Sequence, residues 1–156
     1  MTRLYGRAPT NERINDYVPD VRFQRTSILS TIRLDGTQLP LIFEGTLNGE
    51  LFKKYVDDFL SPSLSEGDIV ILDNSSVHKA SGVLDSIYIR GAAAMFLPPY
   101  SPDFNPMELL WSKLKAFLRK AKARTHQTLT DALNAALASI TPADIEHWFK
   151  YDGYAQ

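Results

Sequence analysis

GDIVILDNS, Gly67 to Ser75, is the stretch on which the fold reading turns. Its apolar run, Ile69 to Leu72, is too short for a helix and rich in β-branched side chains, so it predicts a strand buried on both faces. Strands of that kind lie in sheets covered by helices. AAMFLPP, Ala93 to Pro99, reads as the next short strand, and SSVHKASGVLDSIYIRG, Ser75 to Gly91, reads as the connecting helix, weakened at Gly82.

Upstream, FQRTSILSTIRL (Phe23 to Leu34) alternates as a strand does; DGT turns the chain and LPLIFEG returns it as a hairpin. NGELFKKYVDDFLSPSL predicts a helix capped by Asn48 and ended by Pro62. Downstream, helices are predicted from Pro106 to about Ala123, from Leu129 to Ile140, and in TPADIEHWF, where Thr141 caps and Pro142 takes the first helical position. The order β-β-α-β-α-β-α-α-α implies an α/β fold, a mixed sheet flanked by helices. Residues 1–20 read as an irregular arm and 21–156 as one domain.

With no cysteine, the chain has no disulfide, zinc-thiolate or cysteine-nucleophile chemistry; a metal must be held by oxygen or histidine. Seventeen basic residues nearly balance eighteen acidic ones, so a nucleic-acid partner has to be argued from local clusters. No window is long and apolar enough to span a membrane, and a cytoplasmic protein is expected.

The densest local signal is FLPPYSPDFNPMELLWSKLK, Phe96 to Lys115. Asn105 suits the cap of the helix, Pro106 its first position and Glu108 the third, where a carboxylate reaches back to complete a capping box. That is a sufficient local reason for Glu108. A second reason is Asp73, a carboxylate at the end of a buried strand, which is costly without a cation or hydrogen bonds. Ligands sit at strand ends in open α/β sheets, so Asp73 and Glu108 together would suit a hard divalent cation. The same helix carries Lys113, Lys115, Arg119, Lys120, Lys122 and Arg124 with no acid between Lys113 and Arg124, a run suited to holding phosphates. Arg3, Arg7 and Arg13 in the arm could add to it.

VILDNSSVHKA and LPPYSPDFNPMELLWSKLK, with thirty-four residues between Asp73 and Glu108, resemble the catalytic domain of DDE transposases, in the bacterial insertion-sequence branch of the mariner superfamily. YGRAPTNER and LDGTQLPLIFEGTLNGELF resemble it as well. The resemblance implies a ribonuclease-H-like fold in which three acids bind two Mg²⁺ (or Mn²⁺) ions for cleavage and transfer of DNA strands. Asp73 matches the second acid and Glu108 the third; Asn74, His78, Asp103 and Asn105 would support the site.

In that family the first acid lies on a central first strand, upstream of the region resembling TRLYGRAP. This chain is therefore expected to be an N-terminally truncated, partial domain with an incomplete triad, inactive alone and prone to aggregate at exposed strand edges. Asp35 is better read as a hairpin-turn residue than as a replacement, and Asp16, Asp20 and Asp103 as polar loop groups. The implied partners are DNA, as transposon ends and target, and an upstream transposase fragment or a second copy of the chain. The alternatives are a non-catalytic DNA-binding or oligomerising fragment, and an unrelated α/β domain in which Asp73 and Glu108 are only caps.

Overall fold

The computed structural model describes Thr10, residues 25–99 and residues 101–155. The rest of the arm, with Arg3, Arg7, Arg13, Asp16 and Asp20, lies outside the described residues, as does the start of the first predicted strand. β1 (Thr26–Leu29) pairs antiparallel with β2 (Leu41–Glu44), Leu29 opposite Leu41 and Ile28 opposite Ile42. Because successive strand residues face opposite ways, Leu29, Leu41 and Phe43 enter one hydrophobic core and Ile28 and Ile42 the other. The hairpin is thus the wall between two cores.

The first core is closed by α1 (Gly49–Tyr55), by β3 (Ile69–Leu72) and by α3 (Val83–Tyr88), through Phe52, Tyr55, Val70, Leu72, Val83 and Ile87. The second is closed by α4 (Pro106–Ala121), α5 (His126–Ala138) and α6 (Pro142–Tyr151), centred on Leu110, Leu133 and Ile145. Local chemistry starts these helices. Asn48 accepts from Leu51 N–H, Thr125 and Thr141 each form a full capping box, and Pro142 occupies the first turn of α6. The capping box at Thr125 starts α5 three residues before the predicted Leu129.

Several predicted elements differ. β3 pairs in parallel with β4 (Ala93–Phe96), and among the described residues no ladder joins this pair to the antiparallel hairpin, so the α/β fold carries two two-stranded sheets here. Nor is β3 buried on both faces: Val70 and Leu72 are covered, while Ile69 (62% exposed) and Met95 (46%) on β4 are open. The helix predicted over Ser75–Gly91 breaks into a 3₁₀ turn, Ser76–Lys79, and α3. Ala80 is extended and Gly82 takes φ 79°, a left-handed conformation in which any side chain would be strained. Pro62 does not end the preceding helix. A π-helical turn, Val56–Leu60, widens the chain ahead of it, and α2 (Ser61–Ser63) carries Pro62, which has no N–H to donate, for one further turn.

Candidate active site

Parallel pairing brings the C-terminal ends of β3 and β4 to one edge, Leu72 opposite Phe96, with Leu97 N–H donating to the Leu72 carbonyl at 2.8 Å. Asp73 leaves that edge from one strand and Leu97–Pro98–Pro99 from the other. The proline segment passes through a 3₁₀ turn, Pro102–Phe104, to Asn105, whose side chain accepts from Met107 N–H at 3.2 Å and starts α4. Glu108 then falls in the first turn of α4. Asp73, Asn74, Ser75, Leu97, Pro98, Ser101, Pro102, Asn105 and Glu108 line one pocket of about 290 Å³.

Each acid is held differently. One oxygen of Asp73 accepts from Ser75 N–H at 2.8 Å and lies 2.7 Å from His78 Nδ1; the second oxygen has no partner among the described residues. The His78 ring, largely buried, packs on Phe52 with centroids 4.5 Å apart, so its nitrogen is fixed against Asp73 by the first core. Asn74 donates to the Leu97 carbonyl and accepts from Lys79 Nζ at 2.8 Å, which ties the two strand ends together. The Lys79 ammonium lies 5.6 Å from the centroid of the Phe96 ring. Glu108 corrects the capping-box expectation: Asn105 N–H donates instead to the Pro102 carbonyl at 3.0 Å, and the Glu108 carboxylate takes no hydrogen bond or ion pair among the described residues. Local capping therefore leaves Glu108 unexplained.

Asp35 lies elsewhere. Its side chain accepts from Thr37 N–H at 2.8 Å within the hairpin turn, and that bond is the first cause holding its carboxyl below the ordinary Asp range. Neighbouring Arg33 forks onto Asp68, just before β3 begins, which puts Asp35 at the opposite end of the strand from Asp73. Among the described residues no three Asp, Glu or His side chains converge to hold a metal ion.

The family model of the DDE superfamily endonucleases matches residues 1–130. The chain belongs to that family. No curated protein matches it in sequence. Among solved structures, the crystal structure of the Mos1 strand transfer complex matches with a TM-score of 0.75 at 15% identity, over 96% of this chain. The chain spans 46% of that relative's length. At that identity the likeness shows the fold, an α/β architecture of the ribonuclease-H-like kind.

In this DDE superfamily chain the two carboxylates offer only oxygen donors, which suits Mg²⁺ or Mn²⁺ rather than a thiolate-loving metal. The basic helix is less uniform than its sequence. At about 100° per residue, Lys115 and Arg119 lie seven and eleven positions beyond Glu108 and so on nearly the same exposed stripe of α4. Lys113 and Lys120 are roughly 120–140° away. Lys113 is committed, its Nζ 2.6 Å from Asp144 Oδ2, and this bond is the main reason the Asp144 carboxyl falls to about 2. Lys122, at φ 49°, ends α4 in the left-handed conformation, one residue short of the predicted stop, and Arg124 lies in the following loop. Sequence reading missed Lys79 and Phe52 at the site; their signal was spatial, though Lys79 lies next to His78.

Proposed function

We propose that the chain is part of a transposase catalytic domain in which Asp73 and Glu108 hold a divalent cation, Mg²⁺ or Mn²⁺, for cleavage and joining of DNA strands. The observation that carries this reading is the shared pocket: two acids thirty-five positions apart line it, each with a carboxylate oxygen that has no partner among the described residues. A bound cation would supply Lewis-acid activation of water or a 3′-hydroxyl and of the attacked phosphate. His78 and Ser75 N–H hold one oxygen of Asp73 and leave the other without a partner among the described residues, and Asn74 keeps the strand ends in register. Asn105 fixes where α4 starts and hence where Glu108 points, while Asp103 belongs to the turn before it. Lys115 and Arg119 would lead the DNA backbone along α4 towards the acids, with Lys120, Lys122 and Arg124 extending the basic surface and Lys113 serving mainly as a structural tie.

Calorimetric titration with Mg²⁺ and Mn²⁺ tests the reading. Binding that vanishes in Asp73→Asn and Glu108→Gln supports it, and a folded protein that binds neither ion overturns it. A second reading, a non-catalytic DNA-binding or oligomerising piece of a transposase, is favoured by the lack of a third converging acid among the described residues. On the first reading a third carboxylate has to join the pair before turnover. Nicking of supercoiled DNA separates the two: cleavage that needs Mg²⁺ and both acids selects the catalytic reading, and DNA retention without cleavage selects the other.

A further inference from the structure

Tyr154 stands fifty residues after Phe104, yet its hydroxyl donates to the Phe104 carbonyl at 2.7 Å. The two partners differ in how firmly they are held. Tyr154 hangs from α6, whose Ile145 and Trp148 are buried in the second core. Beyond α6 the chain is closed by Asp152 N–H to the Trp148 carbonyl (3.1 Å), Gly153 N–H to that of Lys150 (3.1 Å) and Tyr154 N–H to that of Phe149 (2.8 Å). The Tyr154 ring packs edge-on against Phe149, centroids 6.2 Å apart. Phe104, by contrast, is 51% exposed, and apart from the Tyr154 bond its turn is closed, among the described residues, by short-range bonds, Phe104 N–H to the Ser101 carbonyl at 3.3 Å and Asn105 N–H to that of Pro102 at 3.0 Å.

That turn is the segment that delivers Asn105 and Glu108 to the pocket. We propose that Tyr154 is a positioning residue of the acid site: the C-terminal segment clamps the Pro102–Phe104 turn and thereby sets where Glu108 stands relative to Asp73. The proposal rests on the reading of Asp73 and Glu108 as a cation site. Asp152 beside Tyr154 has its carboxyl raised above the ordinary Asp range first by burial and then by the charge of Asp103 on the clamped turn, so the clamp also works against a repulsion, and one Asp152 oxygen is buried with no hydrogen-bond partner among the described residues. Tyr154 therefore does what the charges alone would not.

Hydrogen exchange read by mass spectrometry, beside Mn²⁺ titration, tests this on the full chain. Tyr154→Phe keeps the ring on Phe149 and removes only the donor. Exchange over residues 101–108 should accelerate by roughly five- to tenfold, the factor one net hydrogen bond supplies, and residues 142–151 should stay as protected as before. Mn²⁺ affinity should fall with it, by about three- to tenfold, since the acid pair loses its fixed spacing. Asp152→Asn removes the repulsion and leaves the hydroxyl, so the same segment should exchange more slowly, by a factor of about two. Unchanged exchange over 101–108 in Tyr154→Phe, or loosening confined to α6, overturns the proposal. If wild-type protein binds no Mn²⁺, the acid-site reading fails, and the exchange comparison by itself still decides whether the clamp exists.

Discussion

Where β3 begins, Asp68 receives both terminal guanidinium nitrogens of Arg33, at 2.9 and 3.1 Å, and Ser65 N–H at 2.8 Å. Where β3 finishes, Asp73 has one oxygen occupied by Ser75 N–H and His78, and Glu108, arriving from another helix, has neither oxygen occupied among the described residues. Both ends are acidic, but among the described residues an arginine pairs with the acid of the first alone. The Arg33 fork joins the hairpin to the start of β3, with a further bond from its Nη1 to the Ser63 carbonyl at 3.1 Å, so that end is a structural weld. The open carboxylates sit at the end where two strands and a helix start converge. The cation site proposed above rests on that contrast, acids paired at one end of β3 and left open at the other.

The comparison breaks most readily at the open end. Asp73→Asn or Glu108→Gln should weaken Mg²⁺ or Mn²⁺ binding by more than about a hundredfold, beyond the effect of removing an outer partner, with the melting temperature moving by no more than about 2 °C. Metal binding that survives either change, or a large drop in melting temperature, would mean these acids are structural like Asp68.

The welded end should behave in the opposite way. Asp68→Asn should cost about 1.5–3 kcal/mol in urea unfolding, at the lower side because the pair is partly exposed, and leave metal binding untouched. The bond from Arg33 is the first cause holding the Asp68 carboxyl below its usual range. Its folded pKa is therefore below its unfolded one, so the stability it contributes is present above pH ~4 and is lost as pH falls through the lowered value. Wild-type protein should lose stability over that acidic range more steeply than Asp68→Asn, which a urea series from pH 6 to pH 3 measures.

The two ends also differ in how readable they are. The strand at Ile69–Leu72 and the helix starts at Asn48, Asn105 and Thr141 rest on neighbours within four residues, so sequence suffices for them. The fork from Arg33 to Asp68 spans thirty-five residues and the bond from Tyr154 to Phe104 fifty, and no local period reports either. Glu108 was ambiguous for a related reason. Its spacing from Asn105 fits a capping box, and only the bond from Asn105 N–H to the Pro102 carbonyl removes the cap as its employment. The break at Gly82 was half-visible: glycine weakens a helix anywhere, but the left-handed conformation that the chain takes there shows only in the structure. The open face of β3 was invisible, since an apolar run does not say how many strands surround it.

The same contrast recurs on a smaller scale within α4, between two lysines separated by a single residue. Lys115 shares the Glu108 stripe, and Lys113 is turned towards α6, where Asp144 also accepts from Thr141 N–H at 2.8 Å and so completes the cap of that helix. Lys115→Ala with Arg119→Ala should lower DNA affinity several-fold and reduce the salt dependence of binding by about 0.9 in logarithmic slope for each phosphate left without its cation, at unchanged stability. Lys113→Met should leave that slope alone and cost about 0.5–1 kcal/mol of stability. The pH sign follows from the depressed Asp144 carboxyl: with a folded value of about 2 against an ordinary 3.8, its contribution is full above pH ~4 and disappears towards pH ~2. Lys113→Met should therefore differ most from wild type near neutrality and converge with it in acid. If Lys113→Met instead changed the salt slope and left unfolding alone, the basic run would be one undivided phosphate surface, and the division of α4 into a site-facing stripe and a structural one would be wrong.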